Sequence, residues 1–506
     1  MTRLDSIRDA CFAFVDQDGG KRAFSLGQTQ LAVDATVAWL EHTNRNGSRT
    51  LVVDLPNCPA FVWLLLACAR TGHMLVALNH RLSPADKQLR LEQLQGTVAQ
   101  DYQAVGPDEA ACLEAAVQRA IDGPGGPSCT ASPSWTPGAL LESAARGEIA
   151  LVMFTSGTTG TPKAATLTWG QLLASARMAN KMLGCGRTSL WQAALPLCHI
   201  GGLQVVLRSY LAQAPFLLYA RVNPGQLLQD AQDHAATHVS VVDKMLQDLL
   251  AEDVSRTEPA IGGYQCLLLG GAALNWQTLD RARAAHARVF ASFGMTETAS
   301  AVAWAPADDA FDGGAALSPD IEARVLDPNQ EGKGLLALKG PCVTHGYLNA
   351  QADFTSDGFF ITGDVARLER GRLYVYERLG DMFVSGGENV YPAEIERAIN
   401  QIPGVSASYV FGMQDPTWGR VPVALVEGGG AGNESPASQA RPSSAGVAPA
   451  CDALAQAISQ ELAGHLSRFA QPRHVVVVPT IPRHGIGKID RKAAQRLAEQ
   501  HLQNLC

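Results

Sequence analysis

The sequence predicts an α/β fold in two parts: a large N-terminal domain of several packed layers and a small α+β C-terminal domain. Three observations lead there. The chain has 506 residues, more than one hydrophobic core usually serves. From about residue 20 to 350, short β-branched or apolar runs alternate with longer helix-like stretches, the rhythm of strand and helix layers. Near residue 380 the pattern restarts as a strand, a Gly-rich turn and a helix, FVSGGENVYPAEIERAI.

The elements follow in order. Residues 51–55 (LVVDL), 73–77 (HMLVA), 151–155 (LVMFT), 215–219 (PFLLY), 238–242 (HVSVV) and 266–269 (CLLL) read as buried strands, largely parallel because helix-like stretches separate them. Residues 61–69 (FVWLLLACA) are among the longest apolar runs. They fall short of the roughly 20 residues a membrane helix needs and read as a buried segment. A strand-like YVYE at 374–377 precedes RLGD, which places the domain boundary between 379 and 380, so the domains span 1–379 and 380–506. Residues 427–448 (EGGGAGNESPASQARPSSAGVA) hold hardly a large apolar side chain. Such a stretch cannot offset its ordering entropy. Apolar patterning resumes at 454–469 and 475–478, so 426–448 is expected to be a flexible insertion inside the second domain.

Composition narrows the function classes. Hydrophobic residues make up 46% and charged ones 17%, with a mean hydropathy of 0.00, as in a globular protein without a stable membrane anchor. The N-terminal MTRLDSIRDACFAFVDQDGG mixes acids and bases and lacks the layout of an export signal. Eleven cysteines without a CxxC pair point to neither a disulfide framework nor a zinc site, and a reducing cytoplasm fits. A net charge of −8 speaks against nucleic acid as partner. A homo-oligomer is compatible with the sequence, which leaves that state open.

The strongest local signal is FTSGTTGTPK at 154–163, placed after an apolar run. Thr155, Ser156, Gly157, Thr158, Thr159 and Gly160 form a small-residue loop whose hydroxyl and N–H donors can meet phosphate oxygens while Lys163 balances charge. It is not a Walker loop: two residues separate Gly157 from Gly160, and Ala164 follows the lysine. A mobile surface turn is the bland alternative for a generic Gly-Thr loop.

This loop resembles the phosphate-binding signature of the acyl-adenylate-forming superfamily, which holds acyl-CoA ligases, adenylation domains and luciferases. Further motifs occur in the family's order: LGGAAL (269–274), FGMTET (293–298), GPCVTHGYLN (340–349), DGFFITGD (357–364), ERLGDMFVSGGENVYPAEIE (377–396) and IPRHGIGKIDR (481–491). The resemblance covers nearly the whole chain. It implies a multi-subdomain adenylate-forming N-terminal domain and a mobile C-terminal lid. It also implies ATP, Mg²⁺ and CoA as cofactor and co-substrates, and an acid–thiol ligase reaction through acyl-AMP. Gly270, Gly271 and Ala272 would line the adenine, Phe293 beside Gly294 would stack on it, and Thr296 would meet phosphate. Glu297 offers a hard oxygen to Mg²⁺. Asp364 and Arg378 would hold the ribose, with a structural ion pair as the alternative. Lys488 would reach the carboxylate and α-phosphate, and Gly387 would line the pantetheine tunnel once the lid has rotated. Gly380 replaces the usual hinge Asp or Lys, which leaves rotation intact.

For the acid, LPLCHIGGLQVVLRSYL (195–211) places His199 at a helix start and Arg208 nine residues later. This pattern, with THVSVVDKMLQDLL at 237–250, resembles the o-succinylbenzoate–CoA ligases of menaquinone biosynthesis. There the arginine lies near the acyl pocket, and a diacid gives it a use, since one carboxylate reacts and the other needs a cation. Asp243-Lys244 departs from the usual Pro-Thr. Arg208 as an exposed helix arginine and His199 as a core histidine stand as alternatives. Another aromatic or medium-chain acid, and a carrier protein as acceptor, stay open.

Overall fold

The computed structural model describes residues 7, 10–43, 47–123, 142, 144–145, 147–155, 162–271, 274–378, 383–385, 388–390, 392–415, 418–428, 448–466, 470–483 and 489–503. Its described strands form three sheets. In the first, Gln103–Val105, Thr50–Val53, Met74–Ala77 and Ile149–Thr155 run parallel, and Lys163–Thr168 returns antiparallel. In the second and largest, Phe12–Val15, Phe216–Tyr219, Trp191–Ala193, His238–Val241, Cys266–Leu269 and Val289–Met295 lie side by side in parallel.

Each of the six runs read as strands lies in a parallel ladder. The sheet continues differently after Met295: Ser300–Pro306, Ala315–Leu317, Arg372–Arg378, Phe360–Glu369, Gly334–Lys339 and Glu322–Leu326 follow antiparallel. Four of these pairs are joined by connections too short for the crossover a parallel partner needs: Met295 to Ser300, Pro306 to Ala315, Leu326 to Gly334 and Glu369 to Arg372.

Helices cover the parallel ladders. Pro59–Thr71 carries the apolar 61–69 run; it opens on proline and stops at Gly72, whose φ of 75° is left-handed. Every residue from Pro59 to Ala69 is buried, as an all-round apolar helix requires. Trp169–Leu183 starts with a capping box, in which Thr168 Oγ1 accepts from Gln171 N at 3.2 Å and Thr168 N donates to Gln171 Oε1 at 2.8 Å. Gln171 Nε2 then donates to Val343 O at 2.6 Å, tying this helix to the 340–349 segment. No helix of the described residues is long and apolar enough to cross a membrane.

The third sheet has an apolar core of its own. Glu388–Val390, Phe383–Ser385, Gly419–Gly428 and Val405–Asp415 are antiparallel, and His474–Val478 joins Gly419–Gly428 in parallel. One face packs under Pro392–Ile399 and Ala448–His465 through Ile395, Ile399, Ile458 and Leu462. The other packs under Arg491–Gln503 through Ala494 and Ala498. Lys333 pairs with Glu394 across the two halves, and Gln277 Nε2 donates to Ile402 O at 3.3 Å. Most of the stretch read as an insertion, 429–447, lies outside the described residues.

Candidate active site

Parallel strands of the large sheet end on one edge, at Ala193, Val241, Leu269 and Met295, where α/β sheets present their ligand crevice. Gly270 and Gly271 follow Cys266–Leu269 there; Phe293 and Gly294 lie in Val289–Met295; Thr296 and Glu297 form the turn after it. Neighbouring atoms crowd two of these glycines, backbone at Gly294 and a side chain at Gly270. A Cβ on Gly294 would stand 2.1 Å from Ser300 O, and one on Gly270 would stand 2.7 Å from Ser292 Oγ. Beyond the turn, Ala299 and Ser300 hold φ of 50° and 113°, strained for non-glycine residues. Ser175 Oγ donates to Ala299 O at 2.8 Å and Thr298 Oγ1 to Ser300 O at 2.6 Å, which keeps that turn in place.

Glu297 is 5% exposed. Its Oε1 accepts from Tyr347 Oη at 2.8 Å, and its carbonyl accepts from Thr344 N at 2.6 Å. The ion pairs of the described residues do not include it. A buried carboxylate with a phenol on one oxygen fits a hard divalent cation such as Mg²⁺, which uses one or two carboxylates plus phosphate oxygens. No group of three or more potential metal ligands occurs among the described residues.

Lys163 begins the strand that returns beside Thr155, its register partner. Its Nζ lies 5.1 Å from the Tyr347 ring centroid. Asn349 grips both flanks of the lysine: Ala164 N donates to its Oδ1 at 2.8 Å, and its Nδ2 donates to Pro162 O at 2.8 Å. Tyr347 and Asn349 were not singled out from the sequence. The signal the sequence offers for them is their place in GYLN, inside the motif at 340–349.

Asp364, 5% exposed, is the cross-strand partner of Arg378, and its N–H donates to Thr362 Oγ1 at 3.0 Å. The side chain of Arg378, residues 156–161, Ala272, Gly387 and Lys488 lie outside the described residues.

Of the two residues expected near the acid, His199 precedes the helix Ile200–Ala212, and a Cβ on Gly202 would stand 2.2 Å from Pro196 O, so the helix starts hard against its own entry loop. Arg208 is fully buried, which removes the exposed-arginine alternative. Its Nη2 donates to Ser300 Oγ at 3.1 Å, and its guanidinium lies 5.7 Å from the Trp191 ring. Its Nε has no hydrogen-bond partner, and no Asp or Glu among the described residues forms an ion pair with it.

The neighbours of Arg208 offer no counter-charge. Burial pushes the Cys185 thiol up to about 11 and that of Cys266 higher still. Burial lowers the His238 pKa, and that ring contacts Thr237 Oγ1 at 2.7 Å and Leu183 O at 3.1 Å. Burial also lowers Arg208, to about 10, so it stays a cation at neutral pH. Asp243 opens Asp243–Val254 at the site edge; burial raises its pKa, and Gln247 Nε2 donates to it at 2.7 Å.

Comparison with known proteins agrees with this geometry. The AMP-binding enzyme family matches residues 8–348, and the AMP-binding enzyme C-terminal domain matches 394–488. The 2-succinylbenzoate–CoA ligase of Staphylococcus epidermidis (strain ATCC 12228) is 33% identical over 351 residues, 68% of this chain and 69% of that protein. That of Staphylococcus aureus (strain JH9) is 33% identical over 375 residues, covering 72% and 71%. Among solved structures, o-succinylbenzoate CoA synthetase (MenE) from Bacillus subtilis with ATP and magnesium superposes with a TM-score of 0.73 at 27% identity, over 96% of each chain. Its complex with the acyl-adenylate OSB-AMP gives 0.73 at 26%, over 95% and 94%. Buried charges at the strand ends, both matched domains and these relatives agree: the chain belongs to the AMP-binding enzyme family and is an AMP-forming acid–CoA ligase that uses ATP, Mg²⁺ and CoA.

Proposed function

We propose that the acid is o-succinylbenzoate and that the product is its CoA thioester, a step of menaquinone biosynthesis. The observation that carries this reading is Arg208, a fully buried guanidinium whose neighbours supply a hydroxyl, an aromatic face and neutral thiols. A diacid brings the missing charge with it. The relatives at 33% identity carry the same substrate in their names, and His199 at the head of the Arg208 helix would flank the acyl channel.

In the first step a carboxylate oxygen of the acid attacks the α-phosphorus of ATP, and pyrophosphate leaves. Both reactants are anions, so positioning and cations dominate the catalysis. Lys488 would sit between the carboxylate and the α-phosphate. Lys163 with Thr155, Ser156, Gly157, Thr158, Thr159 and Gly160 would hold the β- and γ-phosphates, and Thr296 would donate to the α-phosphate. Mg²⁺, held by Glu297, would neutralise phosphate charge. Gly270, Gly271, Ala272 and Phe293 beside Gly294 would receive adenine, and Asp364 with Arg378 the ribose. In the second step the CoA thiol attacks the acyl carbonyl and AMP leaves, with Gly387 lining the thiol's path after rotation of a lid that starts at residue 380. A reducing cytoplasm suits this chemistry, and the described cysteines are free.

Pyrophosphate release with Mg-ATP and CoA tests the assignment across o-succinylbenzoate, benzoate, 4-hydroxybenzoate, cinnamates and octanoate, with the thioester identified by mass. o-Succinylbenzoate should dominate. Dominance of a monocarboxylate would overturn the substrate and leave the ligase chemistry standing; acyl-AMP without thioester would point to a carrier-protein acceptor.

A further inference from the structure

We propose that Tyr347 is a positioning residue that sets the distance between the two charged holders of the phosphates, Glu297 and Lys163. The inference rests on the roles proposed above for those two residues. Its phenol donates to Glu297 Oε1 at 2.8 Å, and its ring lies 5.1 Å from Lys163 Nζ. Lys163 belongs to the first sheet and Glu297 to the edge of the large one, so neither sheet alone fixes their spacing.

The segment 344–349 bridges them. Thr344 N donates to Glu297 O at 2.6 Å and Leu348 N to Ala164 O at 2.9 Å. Tyr347 itself bridges to Ala165, two residues beyond the lysine. The tyrosine backbone is thus pinned to the Lys163 strand while its side chain reaches across to Glu297. A carboxylate that accepts one bond from the phenol keeps lone pairs for a metal ion and loses the freedom to turn away. The ring face attracts the ammonium and holds it on the phosphate side.

The two contacts separate by substitution. Tyr347→Phe keeps the ring under Lys163 and removes the bond to Glu297; Tyr347→Leu removes both. The full chain is titrated with Mn²⁺ beside a non-hydrolysable ATP analogue, free ion being read by electron paramagnetic resonance. KM for ATP, kcat and thermal unfolding are measured in parallel. Tyr347→Phe should weaken Mn²⁺ binding about tenfold, the worth of one hydrogen bond to a charged group, and leave KM for ATP within about twofold because the cation–π contact survives. Tyr347→Leu should show the Mn²⁺ loss together with a KM for ATP raised about fivefold.

A tyrosine that only fills space predicts another pattern: wild-type Mn²⁺ affinity in the Phe variant and a lowered melting temperature in the Leu variant. That result overturns the inference. Glu297→Gln and Lys163→Met separate the two levels. If Glu297→Gln binds Mn²⁺ like wild type, the metal role of Glu297 fails and this inference with it. If Glu297→Gln loses the ion while Tyr347→Phe keeps it, only the tyrosine's role is refuted.

Discussion

The molecule buries charge in two ways, at Asp230 and at the strand-end site, and the two regions differ in who supplies the partner. Asp230 is fully buried and is met by Lys21 Nζ at 2.7 Å, Tyr219 Oη at 2.9 Å and Gln226 Nε2 at 2.7 Å. Gln192 Nε2 extends this network, donating to Tyr219 Oη at 2.8 Å. Arg208, equally buried, has a serine hydroxyl and an indole face, and Glu297 has a phenol. Leaving a buried charge without its opposite costs several kcal/mol. Where the fold needs the charge only for itself, the partner comes from the chain. Where, on the proposed reading, the partner comes from the chemistry, the cost is carried until substrate or metal arrives. On the proposed reading the buried carboxylate of Glu297 serves the nucleotide and the buried guanidinium of Arg208 serves the acid.

Three experiments press on this contrast. The largest effect should come from Arg208→Met. Turnover of o-succinylbenzoate should fall by about 100- to 1000-fold in kcat/KM, as when one member of a buried charged pair is truncated, with benzoate affected far less. The same variant should unfold about 1–3 kcal/mol harder in urea, because an apolar side chain replaces an unpartnered cation. Equal losses for both acids, or a less stable protein, would erase the distinction between the regions.

Asp230→Ala should do the opposite. Stability should drop by about 2–3 kcal/mol, the lower end for a broken buried pair because Lys21 keeps partial access to water. Turnover per folded molecule should stay unchanged, as denaturation curves and active-site titration will show.

The smallest effect is one of pH. Burial lowers the Arg208 pKa from its ordinary value to about 10, so the folded state disfavours its charge. Below pH 10 that penalty is fully present; it is relieved as pH rises from 10 towards the ordinary arginine value, where the neutral folded form gains relative to the unfolded cation. Affinity runs the other way, since a bound carboxylate needs the cation. KM for o-succinylbenzoate should be flat from pH 7 to 9 and rise about tenfold per unit above 10, a rise absent in Arg208→Met.

Much of this was legible in the chain. The six apolar runs became parallel strands because four or five mostly buried residues bounded by turns have few other solutions in an α/β rhythm. Glu297, Asp364 and Lys163 stand out as candidates because glycines and hydroxyls crowd around them in short strings. The antiparallel half of the large sheet was less so, since its strands Gly334–Lys339 and Phe360–Glu369 mix exposed and buried positions irregularly. Tyr347 was missed because its meaning lies in two residues from other parts of the chain.

The sequence by itself determined what depends on neighbours along the backbone: which segments extend, where helices start and stop, and which side chains gather in the phosphate and FGMTET strings. Only the tertiary structure decided that Arg208 is a buried cation rather than a solvated one, since its bond to Ser300 spans 92 residues. The same holds for the bond of Tyr347 to Glu297 across 50 residues. Helical periodicity states which face a residue occupies. What lies opposite that face, and whether it carries charge, follows from packing between distant elements, and there Arg208 and Glu297 become buried charges without an ion-pair partner among the described residues.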